Sequence, residues 1–350
     1  MRGRYTIALA GALGVGCFAV MTLTGQTSSP RTKAGATGAP KASAGAVPRT
    51  AWGVPDLQGT WFVLYDVPLE RPAAYAGREF LTDAEVAAAD AKKSVNPGRN
   101  ARSEDKAQDV SGAYNAVFNS VLKTGKRTSM IIDPPDGKIP PLVAGAKAPP
   151  NPFGGRNRSR EAILGIAPGE NDNPETVAQS PRCLGVPMPF LPLNTLFAQG
   201  TVMQLVQSPK SMGMYMEDDH AGGGSRVIYM DGRPHAPARL KFYLGDSRGH
   251  WEGDTLVVET TNYSQGFRGS NIETYKTIER FTRENATTLR RDITFDDPKT
   301  WSKPWTVTIE MGRAPDDRHM IFDSACHEGN YGMVGILVGA RREEQAAGKK

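Results

Sequence analysis

Cysteine, histidine and aromatic residues are scarce in this sequence of 350 residues. It contains three cysteines and five histidines, and Phe, Trp and Tyr together make up 8% of it. The net charge is +5, but lysine and arginine are dispersed, with no dense basic block beyond Arg341-Arg342 and Lys349-Lys350. A nucleic-acid-binding surface requires a basic face with stacking aromatic side chains. The sequence therefore predicts no nucleic-acid partner.

Charge is also missing from residues 5–23, which are apolar or small throughout and follow Arg2 and Arg4. This pattern is typical of a secretory signal peptide, and its length approaches the roughly 20 residues that span a bilayer. We therefore predict export to the periplasm or the cell exterior, with residues 1–25 acting as a signal peptide or a membrane anchor. Lipidation of Cys17 is a third alternative, and we expect membrane contact through this N-terminal segment only.

Hydrophobic periodicity is absent from residues 26–50, which consist mainly of Ser, Thr, Gly, Ala, Pro and Lys. Such a composition is typical of a flexible linker. Beyond it, the sequence predicts a single β-rich domain over residues 51–340, whose N-terminal part, 51–200, forms a long irregular arm. The polar residues 341–350 are predicted to form a disordered tail.

The strongest structural signal lies at residues 241–263, which read KFYLGDSRGHWEGDTLVVETTNY. A turn at Glu252-Gly253-Asp254 leads into the β-branched run 255–261. Glycine supplies the positive φ that such a turn requires, and β-branched residues favour the pleated strand. This stretch therefore predicts a β-hairpin.

Further short strands, separated by turns, are predicted on both sides of this hairpin. They cover residues 62–65, 129–132, 202–206, 212–216, 226–230, 274–283, 287–295, 305–311 and 320–323. Thr82 and Glu85 form a capping box at the start of one short helix, predicted over residues 82–93. The fold class is therefore mostly β, an antiparallel meander arranged as a lipocalin-like barrel or a two-sheet sandwich.

Eight segments spread between Arg49 and Arg342 resemble those of one large group of proteins. They read RTAWGVPDLQGTW, LERPAAYAGREFLTDAE, RTSMIIDPPDGKIPP, IYMDGRPH, LGDSRGHWEGDTLVVETTNY, IERFTR, DDPKTWSKPWT and ACHEGNYGM. The group consists of exported bacterial proteins with the WEGDTLVVET signature. The resemblance implies a secreted or periplasmic β-rich protein. Because no reaction is established for the group, the resemblance assigns no catalytic residues.

The cysteines carry information about the exported form. Cys17 lies inside the N-terminal apolar run, so removal of that run leaves Cys183 and Cys326. In an exported protein an even pair of cysteines predicts a disulfide. The alternative is two unpaired buried thiols.

The catalytic candidates are histidines at predicted strand ends together with one carboxylate. His220 and His235 each follow a strand, and His327-Glu328 come directly after Cys326. Strand ends that are distant in sequence can meet at one rim of an antiparallel barrel, where histidine and carboxylate groups can transfer protons. Binding of a divalent metal by these histidines is a further alternative. The sequence indicates no obligatory cofactor. The alternative role is structural, in caps and rim hydrogen bonds.

A barrel of about eight strands can enclose one small molecule. The candidates for binding it are Glu217, Tyr229, Tyr243, Trp251 and Glu259. The aromatic side chains line a cavity on this interpretation and belong to the core on the alternative one. Glu259 and Asp292 each interrupt an apolar or β-branched strand. A carboxylate that faces inward is costly unless it is paired, whereas strand alternation allows a solvated outward position equally.

Gly245-Asp246-Ser247 matches the Gly-Asp-Ser motif of SGNH-type esterases. In those enzymes the serine lies early, on a strand-to-helix turn of an α/β sheet, whereas Ser247 lies late, between β-strands. The triplet is therefore interpreted as a turn whose Asp and Ser side chains bond to the backbone.

Two functions follow from these residues. The first is binding of a small, partly apolar molecule in a barrel cavity. The second is an enzyme that acts on a small molecule through a His/carboxylate acid–base site, with or without a metal. Convergence of the histidines and a carboxylate in a cavity favours the enzyme, and an apolar cavity without them favours the carrier.

Overall fold

The computed structural model describes residues 46–94, 122–146, 173–174, 177, 182–183, 202–216, 224–264, 270–314, 327–346 and 348. These residues belong to one unit, Ala42–Lys350. Residues 1–45, on which the export prediction rests, lie outside the described part of the chain. So do Glu217, His220, Cys326 and the predicted strand 320–323.

The described chain contains twelve strands and two α-helices. The strands are β1 (Gly59–Val63), β2 (Tyr65–Asp66), β3 (Lys123–Thr124), β4 (Ile131–Asp133), β5 (Val202–Gln207), β6 (Ser211–Met216), β7 (Gly224–Tyr229), β8 (Asp246–Glu252), β9 (Thr255–Thr261), β10 (Lys276–Arg283), β11 (Thr288–Asp296) and β12 (Trp305–Arg313). The helices are α1 (Asp83–Ser94) and α2 (Gly332–Ala346). Every strand predicted within the described residues has a counterpart among these elements.

Nine of the strands close into a barrel. Their order is β1-β5-β6-β7-β8-β9-β10-β11-β12, and β12 pairs with β1 to complete the ring. At the closure Val63 lies opposite Met311. β4 pairs with the first half of β12, where Ile131 lies opposite Val307, and β2 and β3 form a separate two-stranded sheet. The predicted mostly β fold is therefore confirmed, in its barrel form.

Among the described strands two pairings depart from the predicted antiparallel meander, β2–β3 in the small sheet and β7–β8 in the barrel. β7 and β8 run parallel, with Ile228 opposite Ser247. A parallel pair needs a crossover connection, because the chain must return to the end of the barrel at which the first strand began. Here the crossover is formed by residues 230–245. It contributes Gly232–His235 to the wall of a groove on the outer face of β8, β9 and β10.

Alternate residues of the barrel strands face inward and form the core. The largest buried apolar side chains are Trp61, Met203, Leu205, Met212, Met214, Phe281, Phe295 and Trp305. The rings of Phe295 and Trp305 stack with their centroids 4.3 Å apart, and the guanidinium of Arg283 lies 5.3 Å from the ring centroid of Trp61. Because side chains alternate along a strand, the neighbours of these residues face outward.

Two local predictions are confirmed by hydrogen bonds and dihedral angles. In the β8–β9 hairpin Glu252 lies opposite Thr255, and Gly253 in the turn has a φ of +58°. At the start of α1 the Glu85 N–H donates to Thr82 Oγ1 at 3.2 Å, and the Thr82 N–H donates to Glu85 Oε2 at 2.8 Å. These reciprocal bonds are those of a capping box.

Helix α2 was not predicted from the sequence. It has no buried residues, and it includes residues 341–346 of the predicted tail. Its first half, GMVGILVG, is rich in Gly and Val, which have low intrinsic helix propensity, so its composition gives little helical signal. Within the described residues, no helix combines the length and apolar character needed to cross a bilayer.

Candidate functional site

A groove with a volume of about 520 Å³ lies on the outer face of the barrel wall. We call it the His235 groove. One side is formed by the crossover at Gly232–His235, and the other by outward side chains of β8, β9 and β10. Val257 and Ile278 supply apolar surface, and charged side chains such as Glu259 and Arg280 lie beside them. The groove thus combines an apolar surface with a polar rim.

Strand register explains why these side chains lie together. Glu259 lies opposite Ile278, and Val257 lies opposite Arg280, on the antiparallel pair β9–β10. Directly opposite residues of an antiparallel pair project from the same face of the sheet. The intervening Val258 is fully buried in the barrel core, so this face is the outer one.

The imidazole of His235 lies between two carboxylates. Its Nδ1 is 3.0 Å from Asp246 Oδ2, and its Nε2 is 3.3 Å from Glu259 Oε1. The His235 side chain is 25% exposed, and that of Glu259 is 41% exposed. The bond to Asp246 orients the ring and favours a proton on Nδ1. Nε2 and the Glu259 carboxylate lie on the other side of the imidazole, towards the groove.

Asp246 is fixed by three donors. Its Oδ2 also accepts a hydrogen bond from the Ala236 N–H at 2.8 Å, and its Oδ1 accepts one from Arg248 Nη1 at 2.6 Å. Burial alone would raise the pKa of Asp246, but the hydrogen bonds from Ala236, His235 and Arg248 outweigh it and hold that pKa below its usual value. The carboxylate is therefore ionised at neutral pH.

Further hydrogen bonds hold the crossover against the barrel wall. Arg248 Nε donates to the Pro234 carbonyl at 3.0 Å, and Asn262 Nδ2 donates to the Ala236 carbonyl at 2.8 Å. Gly245 ends the crossover with a φ of +74°, a conformation that favours glycine. His235 is consequently presented by an anchored segment.

Tyr229 carries two guanidinium groups over its ring. The guanidinium carbon of Arg233 is 4.2 Å from the ring centroid, and that of Arg248 is 5.2 Å from it. Both distances fall within the range of cation–π attraction. Arg233 also pairs with Asp231 at 2.6 Å. The groove therefore has a planar aromatic and cationic wall next to His235.

The far end of the groove is an exposed ionic network. Arg280 Nη2 lies 2.6 Å from Glu252 Oε2, and His250 Nε2 lies 3.2 Å from Glu252 Oε1. The hydrogen bond from Arg280 is the main reason that the pKa of Glu252 is lowered. These groups are about half exposed, so solvent screens their attraction.

Three of the sequence-derived candidates meet in the His235 groove, namely Tyr229, His235 and Glu259. Trp251 is instead partly buried and packs against the barrel core. Tyr243 is half-buried in the crossover and is not among the described residues that line the groove. The structure thus joins one catalytic candidate to two of the binding candidates.

His327 and Glu328 lie in an exposed turn before α2 and are not among the described groove-lining residues. The same turn leads to Asn330, whose Nδ2 lies 3.1 Å from Cys183 Sγ. The disulfide between Cys183 and Cys326 stays a prediction, because Cys326 lies outside the described residues. Within the described chain, no group of three or more His, Cys, Asp and Glu side chains could hold a metal ion.

Asp246 and Arg248 were not predicted as partners of the site. The only sequence signal for Asp246 was the Gly-Asp-Ser triplet, which was interpreted as a turn. Asp246 does bond to a backbone N–H, whereas Ser247 is buried inside the barrel with its Oγ 2.9 Å from Thr260 Oγ1. Since Ser247 and His235 lie on opposite faces of the wall, they do not form a nucleophile–base pair.

A second cavity, of about 380 Å³, lies between α1, the β2–β3 sheet and β12. Its lining includes Val63, Phe80, Val86 and Ile309, with the cationic side chain of Lys123 beside them. It has no histidine among its lining residues. The His235 groove lies on the outer face of the wall, whereas this second cavity also borders Val63 and Ile309 of the barrel core.

Comparison with known proteins adds little to this geometry. No family model matches the chain, and no curated protein matches it. Among solved structures, a crystal structure of a point mutant of the fluorescent protein UnaG matches with a TM-score of 0.22 and 12% identity. That match covers 39% of this chain and 86% of the other.

Proposed function

We propose that the protein is exported and binds a small, partly apolar molecule in the His235 groove. The observation that carries the proposal is the position of His235, held between Asp246 and Glu259 at the edge of a cavity of about 520 Å³. Small-molecule sites combine apolar surface with a few fixed polar groups. The groove has both.

The groove favours a planar ligand that carries a hydrogen-bond donor. Val257 and Ile278 offer apolar contact, and the Glu259 carboxylate, which is 41% exposed beside His235, offers a hydrogen-bond acceptor at the open side. The planar guanidinium of Arg233, which lies over the ring of Tyr229, offers a flat surface on which a second ring can stack. A substituted phenol has this combination of a flat apolar ring and one hydroxyl donor.

Saturation-transfer NMR with p-cresol and 4-methylanisole tests the binding. The two probes have similar shape, but only p-cresol carries a hydroxyl donor. We expect p-cresol to bind the wild-type protein and 4-methylanisole to bind at least tenfold more weakly, because a site built to bond a donor penalises a ligand without one. His235→Ala should weaken p-cresol binding by a similar factor.

His327→Ala is the matched control, since His327 lies in an exposed turn outside the described groove lining. It should bind p-cresol like the wild type. Equal binding of p-cresol by the His235→Ala and wild-type proteins would contradict the proposed site, and so would loss of binding in His327→Ala alone.

Export rests on Arg2, Arg4 and the apolar run 5–23. A fusion of residues 1–50 to alkaline phosphatase, which becomes active only after export, tests it. We expect phosphatase activity from the fusion and none after Arg2 and Arg4 are replaced by Glu. An inactive wild-type fusion would contradict export.

A second candidate function is favoured by the orientation of His235. Asp246 holds Nδ1, so Nε2 and Glu259 can together accept and return a proton. A substrate with an acidic hydrogen next to a carbonyl is the class that such a pair can act on. The carbon-bound proton moves to the pair and a solvent proton returns to the carbon, with no nucleophile required.

Deuterium exchange tests this second function. Acetophenone incubated with the protein in D2O should incorporate deuterium at its methyl group faster than in buffer. His235→Gln should reduce the rate at least tenfold, and His327→Gln should leave it unchanged. Exchange at the buffer rate with the wild-type protein would remove the enzyme from consideration and leave the binding function.

A further inference from the structure

The barrel interior contains a buried charged cluster that belongs to neither cavity. Arg226 of β7, Glu279 of β10 and Arg291 of β11 face inward, with side chains 3%, 0% and 1% exposed. Arg226 Nη2 pairs with Glu279 Oε2, and Arg291 Nη2 lies 2.8 Å from Glu279 Oε1. One carboxylate is thus shared by two guanidinium groups. We call these three residues the inner cluster.

The inner cluster carries a net charge of +1, because two cations share one anion. Taking an unpaired charge out of water is expensive, and buried ions are normally neutralised by partners. Two strong cations hold the pKa of Glu279 below its usual value although burial opposes this. The carboxylate is therefore ionised and offsets only one of the two arginines.

Several donors of the two arginines lack good acceptors. Within the described chain, Nε of Arg226 and Nε of Arg291 have no hydrogen-bond partner. Arg226 Nη2 also contacts Met214 Sδ at 3.4 Å, and Arg291 Nη1 is 3.9 Å from Met216 Sδ. A thioether is a weak acceptor. Guanidinium donors therefore face sulfur where an anionic oxygen would bind far more strongly.

Neutral hydroxyls complete the polar region around the arginines. Arg226 Nη1 donates to Ser247 Oγ at 3.3 Å and to Thr260 Oγ1 at 3.2 Å. Nearby, Tyr263 Oη and Thr277 Oγ1 are 2.7 Å apart, and burial raises the pKa of Tyr263 to about 12. These groups are polar but add no negative charge, so the excess positive charge has no compensating anion among the residues that the structure describes.

The surroundings are apolar and adaptable. Met203, Met212, Met214 and Met216 are all buried on the adjacent strands β5 and β6. Methionine is unbranched and has three rotatable bonds, so it fills irregular space and repacks readily. A methionine-lined interior can therefore move aside for an apolar group whose polar end is held by the arginines.

We propose that the inner cluster binds the carboxylate of a small, partly apolar monoanion inside the barrel, at the donors of Arg226 and Arg291 that now face Met214 and Met216. This site is separate from the His235 groove, on the opposite face of the same wall. The acid neutralises the excess charge, and its apolar part replaces methionine contacts. The proposal does not depend on the function assigned to the groove.

Isothermal titration calorimetry with decanoate, and with decanol as the uncharged probe, tests the proposal on the full chain. We expect decanoate to bind one site per barrel and decanol to bind at least tenfold more weakly. Arg291→Met should weaken decanoate binding at least tenfold, since it leaves a neutral Arg226–Glu279 pair. Arg290→Met is the matched control, because this neighbouring arginine faces outward and is 43% exposed.

Glu279→Gln should strengthen decanoate binding, whereas Arg291→Met should weaken it. Glu279→Gln raises the cluster charge to +2, so decanoate should raise the melting temperature of this variant by more than it raises that of the wild type. This readout also covers the case in which Arg291→Met fails to fold. Equal binding of decanol and decanoate, or undiminished binding by folded Arg291→Met, would overturn the inner site. Decanoate binding lost in His235→Ala but kept in Arg291→Met would place the acid in the groove instead.

Discussion

Charged side chains on the two faces of the β7–β10 wall lie in different environments, solvated on the outer face and buried on the inner face. On the outer face Glu259, 41% exposed, is shared by His235 and Lys276 at 3.3 and 3.6 Å. On the inner face Glu279 is fully buried between two arginines. Solvent screens the outer pairs, whereas the inner pairs attract at low effective dielectric after a large desolvation cost. A charged side chain on the outer face can therefore bind a ligand directly. The charged side chains on the inner face stabilise the fold, and they bind a ligand only if an anion enters the barrel.

Removal of a carboxylate from each face gives the largest expected contrast. Glu279→Ala leaves two buried guanidinium groups unpaired, and breaking such a pair costs about 3–5 kcal/mol of unfolding free energy. Glu259→Ala should cost at most about 1 kcal/mol, because its partners are solvated. Urea denaturation of both variants measures the two values. Equal losses would contradict the distinction between the faces.

Substitution of two glycines with positive φ compares a position packed against the barrel wall with one in an exposed loop. Gly245 has a φ of +74°, and an added Cβ would lie 2.4 Å from Thr260 Cγ2 and 2.8 Å from Tyr263 Cε1. Gly232 has a φ of +77° but nothing within 4 Å. Gly232→Ala should cost about 1–2 kcal/mol from backbone strain alone, and Gly245→Ala should cost clearly more. Thermal unfolding checks the order, and a larger loss in Gly232→Ala would contradict it.

Acid should weaken the inner face through Glu279. Its pKa is lowered in the folded state, whereas in the unfolded chain it is about 4.3. The stabilisation from its ionised form is therefore fully present above about pH 4.3 and is lost as pH falls through the folded-state pKa. Melting temperatures between pH 3 and 6 should fall more steeply for the wild type than for Glu279→Gln. Parallel curves would contradict an ionic role for Glu279.

Arg280→Met should give the smallest effect. Arg280 is 41% exposed and pairs with Glu252 on the outer face, so its removal should change the melting temperature by less than any substitution above. It should also reduce the salt dependence of stability, since only exposed pairs are strongly screened. A melting temperature that falls as far as in Glu279→Ala would show that the outer network is not solvated as described.

Local sequence patterns predicted most of the fold, because strands, turns and helix caps depend on residues that are close together in the sequence. The turn at Gly253 and the cap formed by Thr82 and Glu85 follow from φ preference and short-range hydrogen bonds. The parallel pairing of β7 with β8 did not follow from such patterns. It depends on how residues 230–245 cross the wall, and no residue in that segment encodes the crossing by itself.

The candidate site was predicted only in part for a related reason. His235, Tyr229 and Glu259 were singled out, but their partner Asp246 was found only through tertiary contact across the crossover. The inner cluster was missed because β10 reads KTIERFTR, in which both faces mix apolar and polar residues. Alternation in that strand therefore does not indicate that Glu279 faces inward. An inward orientation was considered for Glu259 and Asp292 instead.

NMR of the His235 imidazole during a titration with p-cresol tests the central claim most directly. Long-range proton–nitrogen spectra resolve Nδ1 and Nε2 separately. We predict that the Nε2 shift of His235 moves with p-cresol concentration and saturates, while 4-methylanisole leaves it unchanged and the shifts of His327 stay fixed. A His235 imidazole that does not respond to p-cresol at saturating concentration would contradict the assignment of the His235 groove as the binding site.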